Sequence, residues 1–373
     1  MYVRDARGTD RGQLQQLREA ASAERSAPNS DGGQRVQTTG RLLRERGTCR
    51  MTHRRLAVVL ACTITFLPFA AIQIAFASVT NAQVVGDGSW TRGAAMPSER
   101  GEVGAAVVDN RIYVVGAYSG ASDANEGYDP DTDSWRTLAP LPQSRNHVCA
   151  AAVGGRLYII GGFDPATGNR PVDTTYAYDP GTDTWASHAP IPTPRGALAC
   201  VAVGDTIYAI GGASPAGATG VNEAYEPVTD TWRTDPMAMP TSREHLAAAE
   251  LGGLVHVFGG RSLGLGLSAA THEVYDPVAN TWTSAAALPT GRSGIGAAVL
   301  RGRIHVLGGE ADNTFEQNEA YDPVTDSWVT FAPLPTPRHG LGVVTVRDAI
   351  YVLAGGLLPG DSRSNIVEVF RLP

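Results

Sequence analysis

Arginine recurs at positions 100, 145, 195, 243, 292 and 338, each time after a proline-containing loop. A guanidinium presents its donors as a rigid fork that matches a carboxylate, so Arg100, Arg145, Arg195, Arg243, Arg292 and Arg338 around one opening could grip acidic groups. The other reading is structural: an arginine repeated in every unit can satisfy loop carbonyls that would otherwise be unpaired. The residues beside these arginines change from unit to unit. They are Glu102, Asn146, His147, Gly196, Glu244, His245, Ser293 and His339. Such positions either give a binding site its identity or form ordinary solvated loop edges. His147, His245 and His339 raise the question of a metal, because imidazole is a common ligand. The spacing argues against a three-histidine centre. His147 and His245 stand two residues after their arginines and His339 only one, so strand alternation turns His339 to the other side. Alternate units should also lie far apart across a central channel. No metal and no cofactor is expected.

Other chemistry is absent or weak. There is no HExxH or Walker loop. The Gly264–Leu267 stretch lacks the βαβ context of a dinucleotide site. No carboxylate pair can be assigned to glycoside hydrolysis. Cys149 and Cys200 fall four and five residues after their arginines, hence on different sides of their strands; a disulfide between them is not expected, and both read as small buried hydrophobes. All thirty basic residues are arginine. Residues 1–82 hold twelve of them against six acids, while residues 83–373 hold eighteen against thirty-one. An acidic body argues against non-specific nucleic-acid binding.

The elements that carry these residues repeat six times. Tryptophan stands at 90, 135, 185, 232, 282 and 328, at spacings of 45 to 50 residues. After each arginine comes a run of small apolar residues, then a turn, then a second apolar run that ends in glycine: Gly161-Gly162, Gly211-Gly212, Gly259-Gly260, Gly308-Gly309 and Gly355-Gly356, with Gly116-Ala117 as the departure. Near-continuous apolar runs suit strands buried on both faces. A loop of variable length leads to Tyr128, Tyr178, Tyr225, Tyr275 or Tyr321, and tryptophan follows seven residues after each. The Asp-Pro-x-Thr-Asp stretch between them is a turn. Each unit thus reads as four antiparallel strands, and a 45–50-residue period of such units describes propeller blades. The last unit lacks a tryptophan strand, and Trp90 precedes the first unit. The strand around Trp90 is therefore expected to complete the last blade and remove two free sheet edges.

The double glycine, the Tyr-Asp-Pro and the spaced tryptophan resemble the kelch repeat, over residues 89–373. The resemblance implies an all-β, six-bladed β-propeller but no single function, because one fold hosts many. Loops after strands two and four share one face. The varied loops at 117–124, 162–173, 213–221, 261–271, 310–317 and 357–364 lie there, and that face with its channel mouth is the expected binding surface. Loop 260–271 and Phe163 are its apolar candidates. The leading function is a binding scaffold, expected to be a monomer, for a protein or carbohydrate ligand. The alternative is a carbohydrate-active enzyme of the sialic-acid epimerase or galactose-oxidase-like type.

Residues 56–79 carry no charge and follow Arg54 and Arg55. Their length suffices to cross a hydrocarbon core of about 30 Å. Residues 51–82 read as a signal peptide or signal anchor, and residues 1–50 as an Arg-rich extension that is not native if translation starts at Met51. Either way the propeller, residues 83–373, is expected outside the cytoplasm, with membrane contact only through 56–79 if that run stays uncleaved. N-terminal sequencing of the native protein should yield no peptide from residues 1–50; one such peptide would refute the Met51 start.

Overall fold

A computed structural model describes residues 87–118, 120–262 and 269–373. They form six four-stranded antiparallel sheets, two short two-stranded ribbons and one 3-10 turn at Pro165–Thr167. The innermost strands of blades 1 to 6 are Gly104–Val108, Cys149–Val153, Ala199–Val203, Ala247–Leu251, Gly296–Leu300 and Gly342–Val346. Blade 3 shows the plan: Ala199–Val203, Thr206–Ile210, Asn222–Glu226 and Thr231–Arg233 in consecutive order. In blade 6 the outermost strand is Ser89–Arg92, which pairs with Val367–Arg371 in the register Trp90↔Phe370. Among the described residues no helix is long and apolar enough to cross a membrane. The apolar run at 56–79 and the proposed start at Met51 lie outside the described residues, as does 263–268 of the apolar loop.

The core lies between blades. Ala151, Tyr158 and Ile160 of blade 2 pack on Leu198, Ile207 and Tyr225 at blade 3, all buried. Alternation along each strand supplies one apolar set to the blade before and another to the blade after. This corrects the expectation for the cysteines. Cys149 and Cys200 form a disulfide with Cα atoms 5.4 Å apart. Neighbouring blades meet through opposite sides of their sheets, so an offset of one residue between equivalent positions is what brings the two sulfurs together.

The monotonous face is a set of locks. Each tryptophan Nε1–H donates to a carbonyl of the preceding blade's exit segment, from Trp135 to Ala94 at 2.8 Å through Trp90 to Ala332 at 2.9 Å. In blades 1, 2, 3 and 5 a turn aspartate accepts from a backbone N–H of that same segment and from the tyrosine hydroxyl. Asp230, for example, takes Ala189 N–H at 2.8 Å and Tyr225 OH at 2.7 Å. In blade 4, Asn280 does the same work. The exposed Val228, Val278 and Val324 are the tips of these repeated turns.

The other end of each sheet explains the glycine pair. Gly162 N–H donates to Arg195 O of the next blade at 2.9 Å, and a Cβ on Gly161 would sit 2.3 Å from that oxygen. In blade 6 the equivalent pair is Ala354-Gly355, one residue earlier than the double glycine suggests, because Gly355 N–H is the group that bonds Arg100 O. Ala354 takes the left-handed conformation, φ 56°, that glycine adopts in the other five blades.

Three histidines are buried in this frame. His256 Nδ1 lies 3.0 Å from His272 Nε2, and His272 Nδ1 donates to Ala286 O at 3.1 Å. Burial pushes His256, His272 and His305 each down to about 4. An unfolded histidine titrates near 6.5. Their contribution to stability is therefore complete above about pH 6.5 and is lost as pH falls toward 4, since the unfolded chain takes up protons first. Melting curves between pH 7 and 4.5 should show that acid limb. His256→Tyr with His272→Asn installs the residues that blades 1 and 3 carry there and should reduce it by the share of those two residues; an unchanged limb would contradict the assignment.

Candidate functional site

Each arginine follows, by four residues, a buried apolar anchor: Met96, Leu141, Ile191, Met239, Leu288 or Leu334. The chain then turns inward, and the arginine side chain enters the blade rather than the channel. All six arginines are buried. Arg195 Nη2 donates to Ala209 O at 2.7 Å, and Arg292 reaches Gly308 O at 2.6 Å and Val306 O at 2.9 Å. Five of them also meet a carboxylate from the third strand: Arg100–Glu126, Arg195–Glu223, Arg243–Glu273, Arg292–Glu319 and Arg338–Glu368. The glutamate's second oxygen accepts from a hydroxyl two residues before the arginine, as Thr290 does to Glu319 at 2.8 Å. Burial pulls these five guanidiniums below their ordinary range, and the glutamates oppose it. So the expected ring of forks at the mouth is instead a ring of internal ion pairs. Sequence reasoning missed the glutamate, although it stands two residues before every strand-three tyrosine except Tyr178 and likewise before Phe370.

Blade 2 is the exception. Tyr176 takes the glutamate's place and Gln143 the hydroxyl's. Tyr176 OH donates to Gln143 Oε1 at 3.1 Å, Arg145 bonds the same oxygen, and Asp164 stands 3.6 Å away.

What faces the channel is the second residue after each arginine: Glu102, His147, Ala197, His245, Gly294 and Gly340. All six have positive φ, between 51° and 63°. Their backbones are linked blade to blade: His147 N–H to Glu102 O at 3.0 Å, then Ala197, His245, Gly294 and Gly340 each to the one before at 2.9 Å. Val103 N–H to Gly340 O at 3.4 Å completes the circle. The third residues, Val103, Val148, Leu198, Leu246, Ile295 and Leu341, join them in lining a cavity of about 80 Å³. The channel here is a small cup lined by six aliphatic side chains together with Glu102, His147 and His245.

This ring corrects two distances read from sequence. The rings of His147 and His245, two blades apart, have centroids only 4.9 Å apart. They meet because blade 3 places the small Ala197 between them. His339 faces a different way from these two, yet its Nδ1 lies 3.1 Å from Glu102 Oε1 and 3.4 Å from Glu310 Oε2, while its Nε2 donates to Leu358 O at 3.0 Å. Gly340 makes room for Glu102, whose carboxyl a Cβ there would approach to 2.5 Å.

The ionisation states are set by burial and close pairing. Burial pushes His147 down to about 4, against the pull of Glu102. Burial would raise Glu102, but His147, His339 and His245 together hold it well below the carboxylate range. For His339 the carboxylates of Glu102 and Glu310 outweigh burial and raise it.

A rim surrounds the cup. The first residues after the arginines, Asn146, Gly196, Glu244, Ser293 and His339, make β-bridges to Phe163, Ala213, Arg261, Glu310 and Gly356. These partners are the residues next after the glycine pair, and with Tyr118 they form a second varied ring; all but Gly356 fall in the varied loops that the sequence assigns to this face. Blades 1 and 2 give aromatic rings, with Tyr118 and Phe163 5.5 and 5.3 Å from the His147 ring. Blades 4 and 5 give charge: Arg261 binds Glu244 at 2.6 Å and Glu310 at 2.9 Å.

A family model described as the KLHDC2/KLHL20/DRC7 Kelch-repeats domain matches residues 84–212 and 189–356. The chain belongs to the kelch-repeat family. No curated protein matches it. Kelch propellers are in general protein-binding scaffolds, and the internal arginines are the frame of this one.

Breaking one partner of a buried ion pair should cost about 3–5 kcal/mol, because the other charge is left unpaired. Urea denaturation should show that loss for Arg195→Met, substantial recovery in Arg195→Met with Glu223→Leu, and a smaller loss for Arg145→Met. Equal losses at 145 and 195 would contradict the pairing.

Proposed function

We propose that this kelch propeller is an extracytoplasmic binding scaffold whose partner is a protein docked on the loop face over the axial cup. The observation that carries this reading is the contrast between faces. The turn face is built from the same residues in blade after blade. The loop face carries two varied rings, with Tyr118, Phe163 and Arg261 on the outer one and Leu357 and the largely exposed Leu358 beside them on the blade 6 loop. Apolar groups beside an organised polar cluster are the usual anatomy of an anchor point in a protein interface. Placement outside the cytoplasm is supported by the apolar run at 56–79 behind Arg54 and Arg55, and by the Cys149–Cys200 disulfide, which suits an oxidising compartment.

The test compares faces. Culture supernatant is passed over the immobilised protein, over Phe163→Ser with Leu358→Ser, and over Val228→Ser with Val278→Ser and Val324→Ser. Capture of the partner should fall at least tenfold for the loop-face variant and hold for the turn-face variant. The reverse pattern would overturn the face assignment. Glycan-array binding abolished by the loop-face variant, with no protein captured, would replace the protein partner by a carbohydrate.

A further inference from the structure

The axial cup has a property that does not rest on a docking partner. Glu102, His147 and His245 each offer a ligand atom, and these atoms all lie within 4.8 Å of one another. We propose that Glu102, His147 and His245 form a three-ligand site for a first-row divalent cation of the zinc class, with a further coordination position open toward the loop face. Two imidazoles and one carboxylate are a donor set that such cations take, and three protein ligands leave room for water or a ligand.

The surroundings already orient the three donors. A ligating histidine needs its other ring nitrogen tied to an acceptor, which fixes tautomer and direction. His147 Nδ1 lies 2.6 Å from Asn146 Oδ1, and the Asn146 amide is itself oriented by a bond from its Nδ2 to Asn169 Oδ1 at 3.0 Å. His245 Nδ1 is bonded to Glu244 Oε2. In both residues this leaves the Nε2 lone pair for the cup. Glu102 is held similarly: Oε1 faces His339, and Oε2 lies 3.5 Å from His147 Nε2. Bonds of about 2.1 Å in tetrahedral geometry put ligand atoms about 3.4 Å apart, so the widest pair needs to close by up to about 1.4 Å.

The backbone narrows the alternatives. At positive φ the three side chains project from a hydrogen-bonded ring rather than from mobile loops, and non-glycine residues there are uncommon. Closing the ring does not require these side chains, since Ala197, Gly294 and Gly340 close the same ring with nothing to donate. One group opposes the cation. Arg261 Nη2 stands 3.3 Å from His245 Nε2, while its other nitrogens bind Glu244 and Glu310. Cation entry requires that one Nη2 to swing off the imidazole, and those two carboxylates can keep the rest of the guanidinium in place.

The experiment uses the purified chain, stripped with chelator and titrated with ZnCl₂ by calorimetry and with CoCl₂ by absorption. The expected result is one cation per chain and a visible d–d band for cobalt. Histidine NMR of the unsubstituted protein should show two imidazole signals shifting on zinc addition. His147→Ala, His245→Ala and Glu102→Gln should each weaken zinc binding at least 100-fold, while His256→Tyr with His272→Asn leaves it unchanged. Absence of saturable zinc binding below millimolar concentration would overturn the proposal. So would zinc binding that survives His147→Ala, or that is lost in the His256/His272 variant. The NMR shifts decide the matter if a cup variant fails to fold.

Discussion

The circle of blade-to-blade hydrogen bonds around the channel is the constraint on which the rest depends. The second residue past each arginine takes a left-handed backbone; five of the six donate to the blade before, and in blade 1 Val103 donates in place of Glu102. That conformation costs a non-glycine residue on the order of 1–3 kcal/mol and persists only where its surroundings over-determine it. It also fixes direction: the side chain points at the axis. Structure and site are therefore one feature here. The bond that joins the blades is the bond that presents Glu102, His147 and His245 to one another. No β-branched residue occupies the ring, which fits the steric penalty such a side chain would add.

The buried arginines make that circle possible by holding the chain on either side of it. Each fills the space under its loop, and all but Arg145 collect carbonyls from the second strand or the residue just past it. Ion pairs of this kind do not by themselves argue for stability, since desolvation offsets attraction. Their role is to leave few groups unpaired at a crowded bend, with the glutamate saturated by one arginine and one hydroxyl. Blade 2 shows that the solution is a set rather than a residue. Tyr176 and Gln143 change together, and the arginine keeps its place. The hairpin of Phe163–Asp164 with Arg170–Pro171 rises from that same blade, so the blade that departs from the frame also departs at the rim.

The period of tryptophan, arginine and glycine made the blades and the two faces legible without coordinates, because each repeated residue meets a demand that every blade has. The points where sequence and structure part share a cause. Alternation within one sheet sets Cys149 and Cys200 on different sides, whereas the contact between sheets inverts the parity. Counting blades holds His147 and His245 apart, whereas the channel narrows to a ring in which one alanine separates them. The letters give blade 6 the pair Gly355-Gly356, and Ala354 shows that the position needs the backbone angle more than the residue. Packing distances between repeats are not written in the period of the repeat.

A six-fold frame carries its identity where the repetition is broken. Around the inner circle the sequence runs Glu, His, Ala, His, Gly, Gly, and around the rim it runs Tyr, Phe, Ala, Arg, Glu, Gly. Both orders are lopsided. Ring donors collect in blades 1, 2 and 4, rim aromatics in blades 1 and 2, and rim charge in blades 4 and 5; blades 3 and 6 contribute little bulk to either circle. Closing the circle does not require such an arrangement, since alanine and glycine alone close it at three of its six positions. The asymmetry gives the cup a polar wall and a bare one, and a ligand entering from the loop face meets them in a single orientation. The kelch frame supplies rigidity at the axis, and these departures from it supply direction.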